Sequence, residues 1–280
     1  MKIDISFKDL KVSRLNILVI LTLSLIISLS LLIRILPAKY GLYLNEFDPY
    51  FDYKATKYLV DSVHSKGLEG VMDYFSYIDP QAWYPYGRDV AKTSQVGLHF
   101  FGAFSYLLVF YIFGLKLDLY DYLIFLPIFL MALSSLIIFL LGKRLLNVTA
   151  GLIASLIFSI SPPLIQRGTL GWYKSEPLGL LLGLLGTYLI ISSYYNKNVI
   201  FRAIFGGIIL GYSTTAWGGS QYFILILLLF FIFSPLFKVD IRKSLKISCI
   251  FIPLMLFSSS IFPRPGPLFL LSPLSLLSLL

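Results

Sequence analysis

Apolar residues fall into long runs along this chain, and polar residues collect in the gaps between them. The runs lie at about 15–36, 97–114, 119–141, 148–164, 177–194, 200–214, 221–237 and 246–262, and a last apolar stretch covers 268–280. Most approach the roughly 20 residues a helix needs to cross a hydrocarbon layer. Backbone groups in lipid must pair within their own segment, so each run is expected to be a helix. Strands are expected only as short pieces of the long polar gap after the first run. Within that gap, Phe51 to His64 has the pattern of a short amphipathic helix lying at an interface. Pro80 and Pro85-Tyr86-Gly87 then punctuate a second, irregular stretch.

Composition agrees with a core built in lipid. The chain has 280 residues, of which 58% are hydrophobic and only 13% charged, and its mean hydropathy is +0.84. A soluble domain of this length would be far more polar. The net charge of +9 arises from Lys and Arg in short loops between apolar runs, where cytoplasmic anchoring needs them. No basic stripe lies on a polar element, so no nucleic-acid partner is expected. The single cysteine, Cys249, lies inside an apolar run, which excludes an intrachain disulfide and a thiolate metal site. Lys2, Lys8, Lys11 and Arg14 precede the first run, and no small-residue cleavage site follows it. The pattern is that of an uncleaved first helix, 15–36, with a cytoplasmic amino terminus, 1–14.

The basic residues also set an orientation. Lys143-Arg144, Lys197 with Arg202, and Lys238 with Arg242, Lys243 and Lys246 each fall between two runs and should be cytoplasmic. Trp217-Gly218-Gly219-Ser220-Gln221 has no basic residue and should be external. If every run crossed, Lys143-Arg144 would be external. The conflict disappears if 97–114 lies in or against the outer leaflet, within one external segment from 37 to 118. The bundle then occupies 119–280, and 165–176 shares the external face. Nine of the 14 acidic residues lie between Glu46 and Asp118, inside that segment.

Three groups of residues can carry chemistry. Glu46-Phe47-Asp48-Pro49 follows the first helix, and two carboxylates one residue apart in an irregular segment can both face one cation. Mg²⁺ and Mn²⁺ prefer oxygen ligands and take part of their shell from phosphate; the alternative is a solvated acidic loop. Asp52 lies a turn further on, where it can support the site from behind. Gly171-Trp172-Tyr173-Lys174-Ser175-Glu176-Pro177 places Glu176, the one acidic residue between Asp121 and Asp240, at a helix start. It is either a helix-terminus carboxylate or a partner for Asp48, with Arg167 nearby to offset phosphate charge. Trp83-Tyr84-Pro85-Tyr86-Gly87-Arg88 is either an aromatic interface anchor or a turn whose Arg88 binds phosphate or ties the loop together. His64 and His99 lack ligand spacing and are expected to be structural.

Together these motifs resemble the catalytic subunit of oligosaccharyltransferase, the STT3/AglB family. Glu46 to Thr56 resembles the first external loop of that family, Trp83 to Arg88 matches the same loop further on, and Trp217-Gly218-Gly219 matches a later turn. The resemblance runs from about residue 15 to 262. It implies an all-α polytopic membrane protein, a GT-C-type bundle with a large first external loop. It also implies an outward-facing site in an archaeal-type cell membrane. The implied activity is transfer of an oligosaccharide from a polyprenyl (dolichyl) phosphate or pyrophosphate carrier to the Asn of an Asn-X-Ser/Thr sequon. The implied cofactor is Mn²⁺ or Mg²⁺, held by Asp48 and Glu176, which match the family's catalytic carboxylates. Glu46, Arg88, Lys174, Trp83 and Tyr84 are then the expected substrate-binding residues. Two features depart from the pattern. Lys174 stands where the second motif usually carries an acidic residue, and a lysine cannot ligate a metal as a cation. The soluble carboxyl-terminal domain with its Trp-Trp-Asp-Tyr-Gly signature has no counterpart in the 280 residues. Two alternatives are another GT-C transferase using lipid-phosphate sugars and an inactive paralogue that binds the carrier or a partner subunit.

Overall fold

The computed structural model describes residues 14–114, 117–195, 197–237 and 239–278. Lys2, Lys8, Lys11 and Lys238, with most of the expected cytoplasmic amino terminus, lie outside the described residues. Nearly every apolar run is a helix. The first is α1 (Arg14–Ile35). The polar gap folds as α2 (Phe47–Lys66), α3 (Glu69–Phe75), a two-residue antiparallel pair of β1 (Ile78–Asp79) with β2 (Arg88–Asp89), and α4 (Val90–Thr93). Next come α5 (Val96–Phe113), α6 (Leu119–Leu145), α7 (Val148–Ile160), the short α8 (Pro162–Gln166), α9 (Ser175–Ser193) and α10 (Val199–Ala216). α11 (Gln221–Phe233), α12 (Ile241–Ser260) and the short α13 (Pro273–Leu277) complete the chain. Among the described residues, six stretches are long and apolar enough to cross a membrane: Leu15–Tyr40, Val96–Phe113, Leu119–Leu145, Ser175–Ser193, Val199–Ala216 and Gly218–Leu236.

Several boundaries differ from the sequence expectation for identifiable reasons. The run 148–164 breaks at Ile160, because Pro162 and Pro163 cannot donate to a continuing ladder. α2 begins at Phe47, four residues before the expected start, so Asp48 sits in a first helical turn instead of an irregular segment. The last apolar stretch, expected to be a helix, is described as far as residue 278. It forms a 3-10 turn and α13, and Phe269, Leu274 and Leu277 pack into the apolar cluster of α9 to α12.

The side-chain contacts sort the bundle into two ends. Arg144 lies over the Tyr195 ring, Tyr194 bonds Ser244, and Arg202 bonds Ser192. The basic loops after α6, after α9 and before α12 therefore share one end. The opposite end gathers the end of α1, the start of α6, the end of α7, the start of α9 and the end of α10. α1, α6, α7, α9, α10, α11 and α12 alternate between these ends. α5 does not follow the alternation. Its first turn meets the end of α10, where Tyr212 donates to the Gly97 carbonyl. Farther along, the Tyr106 hydroxyl donates to Leu117, just before α6 begins. α5 also lies along α2, from the His99–Asp52 contact to the packing of Phe110 and Tyr111 around His64.

Close helix packing relies on small residues, as lipid-embedded bundles require. At Gly211 of α10 an added Cβ would lie 2.3 Å from the Met255 carbonyl oxygen of α12. One heavily bonded polar side chain is Arg34, fully buried in the last turn of α1. Its guanidinium donates to Ser30 Oγ at 2.7 Å, to the Ser159 carbonyl at 3.0 Å and to the Leu164 carbonyl at 3.3 Å. It thereby satisfies carbonyls left open where α7 stops at the proline break. Arg34→Met is expected to destabilise the fold by about 2–4 kcal/mol, read as a lower unfolding temperature of the purified chain in detergent.

Candidate active site

Three segments far apart in sequence meet at the end of the bundle opposite the basic loops. The first is the exit of α1 and the start of α2. The second is the strap Thr169–Lys174 ahead of α9. The third is the turn Arg88–Gln95 together with Arg264, just past α12. The strap is bonded into the first segment through its backbone. Leu170 N and Thr169 Oγ1 both donate to the Arg34 carbonyl. Asn45 N donates to the Gly171 carbonyl at 3.0 Å, and Asn45 Nδ2 donates to the Leu170 carbonyl at 2.6 Å. Gly171 N in turn donates to the Ile124 carbonyl of α6 at 2.9 Å. Gly171 has φ +77°, and a Cβ there would lie 2.0 Å from the Tyr43 carbonyl oxygen, so only glycine suits the position.

Beyond Gly171 the strap buries Trp172 and Tyr173. The Tyr173 hydroxyl lies 2.8 Å from Thr56 Oγ1 of α2 and donates to the Leu98 carbonyl of α5 at 3.3 Å. With Tyr173 anchored inside, Lys174 emerges beside α2. Its ammonium lies 2.6 Å from Asp48 Oδ2 and 3.8 Å from Glu46 Oε2. The two motif carboxylates thus share one cation, and it is a lysine. Glu46 precedes α2 with φ 68°, which directs the backbone into the helix. Asp48 lies in the first turn, where the helix dipole favours an anion.

Glu176 is in the first turn of α9 and is already partnered. Arg167 Nη1 donates to one of its carboxylate oxygens at 3.1 Å, and Trp172 Nε1 donates to the other at 3.4 Å. Arg167, expected near phosphate, is therefore engaged with Glu176. Asp52 is buried one turn beyond Asp48, with Oδ1 2.8 Å from His99 Nε2. The Tyr74 hydroxyl contacts His99 Nδ1, and the histidine is fully buried. His99 is structural, as expected, and its bonds hold Asp52, α3 and α5 together.

A polar cavity of about 170 Å³ opens between these groups, with Asp48, Asp52 and Lys174 on one side and Arg88 and Arg264 in the same lining. Arg88 ties its loop together: Nε donates to Thr93 Oγ1 at 2.9 Å and Nη2 to the Thr93 carbonyl at 3.0 Å. Its guanidinium stacks 4.0 Å from the Phe51 ring and 5.0 Å from Trp83. Trp83 and Tyr84 are largely exposed and do not line the cavity. Trp217 packs against Gly179 of α9. Sequence reasoning missed Arg264, Thr93 and Gln95, none of which belongs to a recognisable motif.

The family described as oligosaccharyl transferase STT3, N-terminal, matches residues 17–272. The chain belongs to this family. It is 27% identical over 223 residues to the dolichyl-diphosphooligosaccharide–protein glycosyltransferase subunit STT3B of Arabidopsis thaliana, covering 78% of this chain and 29% of that protein. With the STT3 subunit of Saccharomyces cerevisiae it shares 29% identity over 185 residues, 66% of this chain and 24% of the yeast protein. The chain therefore spans under a third of the length of these curated relatives. Solved structures of the oligosaccharyltransferase AglB of Archaeoglobus fulgidus share the fold. The form tethered to an acceptor peptide containing an NVT sequon has a TM-score of 0.70 at 17% identity, covering 94% of this chain and 33% of that one. The complex with zinc and sulfate gives 0.67 at 19% identity, covering 85% and 30%. The complex with an inhibitory peptide and a dolichol-phosphate gives 0.67 at 17%, covering 86% and 29%. The fold is thus the expected GT-C-type bundle of a multi-pass membrane protein.

The donor set here does not fit the divalent ion implied by the family. Among the described residues no three His, Cys, Asp or Glu side chains converge on a metal position. One oxygen of Asp48 faces the Lys174 ammonium, Asp52 is bonded to His99, and both Glu176 oxygens are engaged. A divalent ion at Asp48 would meet that ammonium at close range. Burial alone would lower the Lys174 pKa. The hydrogen bond and charge of Asp48, with the charges of Glu176 and Glu46, outweigh burial and raise it. A cation whose pKa rises on folding adds stability below its unfolded pKa, and the contribution fades as pH climbs through the raised value. Lys174→Met is therefore expected to cost under about 1 kcal/mol, because the pair is partly exposed. In thermal unfolding against pH, that cost should be constant from about pH 6 to 9 and shrink above the ordinary lysine pKa of about 10.4.

Proposed function

We propose that this chain forms the catalytic membrane region of an oligosaccharyltransferase. It presents a polyprenyl (dolichyl) phosphate- or pyrophosphate-linked oligosaccharide, at the cavity beside Asp48, to the Asn of an Asn-X-Ser/Thr acceptor. One observation carries the reading: the strap sets Glu46-Phe47-Asp48 against Trp172-Tyr173-Lys174, so both family motifs meet at one cavity. The dolichol-phosphate, inhibitory-peptide and sequon-peptide structures of the archaeal relative support this substrate class.

The chemistry follows from what each side chain can do. Transfer breaks the bond between the sugar and the carrier phosphate and forms a bond to the acceptor amide nitrogen. That nitrogen is a poor nucleophile and needs a carboxylate to accept its N–H and receive the proton. Asp48 suits this role, because its side chain is well exposed and one oxygen is left free by Lys174. The departing phosphate gains charge and needs a cation, which Lys174 supplies. Glu46 orients Lys174 from the other side, and Glu176 holds Arg167 and Trp172 beneath it. No step is assigned to Mn²⁺ or Mg²⁺ in this chain. Asp48→Ala in the complete enzyme, assayed with lipid-linked glycan and an Asn-X-Thr peptide, is expected to lower transfer by about 100-fold or more. Transfer at wild-type rate would refute the assignment. A carrier-binding paralogue without transfer is the second reading, favoured by Lys174; unaltered carrier binding with no transfer by the wild-type enzyme would establish it.

The site is assigned to the external face of the cell membrane, with the basic loops in the cytoplasm and residues 37 to 118 outside. Under this reading α5 lies against the outer leaflet beside α2. The supporting observation is the alternation of seven helices between the two ends, with the Lys- and Arg-bearing loops collected at one of them. In a Cys249→Ser background, the exposed Leu68→Cys should react with an impermeant maleimide in intact cells. Tyr195→Cys should react only after permeabilisation.

A further inference from the structure

Arg88 and Arg264 have no carboxylate partner in the cavity. Around the cavity Asp48 pairs with Lys174 and Glu176 with Arg167, and Asp52 is hydrogen-bonded to His99. The two guanidinium groups converge instead on a single acceptor, the Thr93 carbonyl. One neutral carbonyl cannot compensate two cations. Burial pushes the Arg88 pKa down, Asp52 opposes it, the charge of Arg264 adds to the lowering, and Asp48 and Asp79 offset it in part. An anion placed between the arginines would relieve that repulsion. Each guanidinium has N–H groups beyond those donated to Thr93, in the planar fork that suits phosphate oxygens. Arg264 is held there by a Pro-Arg-Pro sequence in the segment after α12, and Phe262 anchors that segment against Phe100 of α5, 4.8 Å between ring centres.

We propose that Arg88 and Arg264, lining one cavity with Lys174, form a phosphate-binding site that works without a divalent metal, the Lys174 ammonium taking the cation's place beside Asp48. The ligand is a phosphate or pyrophosphate group. Its identification as the headgroup of a polyprenyl carrier rests on the function proposed above. The lysine position is the specific feature. An ammonium held at 2.6 Å from Asp48 supplies one fixed positive charge without being lost to a chelator, and the two arginines supply the rest. The cavity of about 170 Å³ is of a size for phosphate groups and not for a sugar chain, which would extend out of it.

The test uses the full chain in lipid nanodiscs with two probes, inorganic pyrophosphate and dolichyl phosphate, each measured in excess EDTA and in Mn²⁺. The wild-type chain is expected to bind both probes with the same affinity in either condition. Arg264→Ala and Arg88→Ala, with folding checked by thermal unfolding, should each weaken binding about tenfold or more. Arg264→Lys should recover part of that loss. Lys174→Asp removes the internal cation and adds a carboxylate, so binding in EDTA should fall and Mn²⁺ should restore it. Wild-type binding that disappears in EDTA would overturn the proposal, as would full-strength binding by Arg264→Ala. If pyrophosphate follows this pattern and dolichyl phosphate does not bind, the anion site stands and the lipid-carrier reading falls. If neither probe binds with or without Mn²⁺, the site itself is overturned.

Discussion

The site depends on the backbone of Thr169 to Gly171 being bonded into the exit of the first helix. Arg34 and Asn45 receive and give those bonds, and the Ile124 carbonyl closes the third side. Gly171 makes the approach possible, because any side chain there would run into the Tyr43 carbonyl. Once the strap is fixed, the chain has no freedom to place Lys174 elsewhere. Tyr173 is drawn under α2 and α5, and the next residue must emerge next to Asp48. The buried Arg34 serves the same end, since its side chain gathers the carbonyls at the proline break while its own carbonyl receives the strap.

Around that scaffold the charges are arranged in pairs with one exception. Asp48 with Lys174, Glu176 with Arg167, and Asp52 with His99 each neutralise or bond one another at close range. Arg88 and Arg264 are left together over one carbonyl. Charge left without a counter-charge is a stronger guide to ligand chemistry than the pairs are. The same pairing is why a metal is a poor occupant: the carboxylates that would ligate it already have partners. Under the proposed function, a lysine and two arginines would supply the positive charge that a departing phosphate needs.

Much of the fold was legible in the sequence because lipid restricts the choices. Runs of apolar residues had to be helices, and Lys143, Arg144, Arg202 and Lys243 marked one end of the bundle before any contact was known. Those charges also led to the expectation that 97–114 lies against the outer leaflet; α5 is itself long and apolar enough to cross a membrane, and it lies along α2. The site was legible only in part. Glu46, Asp48, Lys174 and Glu176 lie in recognisable motifs, but their pairing does not follow from spacing. Glu176 was matched with Asp48, yet the nearest cations take both carboxylates. Arg264 gave no signal, because its contact is 171 residues away in sequence from Thr93 and nothing local marks it. Arg34 belongs to no motif, although its burial makes it a structural tie.

The central claim is that Lys174 and Asp48 form one unit whose geometry the strap imposes. The most direct measurement exchanges their charges. Unfolding temperature and pyrophosphate binding in EDTA would be compared for Asp48→Lys, Lys174→Asp and the double variant. The account predicts that each single reversal lowers stability, by placing like charges at the 2.6 Å contact, and weakens binding. It also predicts that the double variant recovers most of the lost stability. A double variant no more stable than the weaker single one would contradict the account, since the two residues would then act independently.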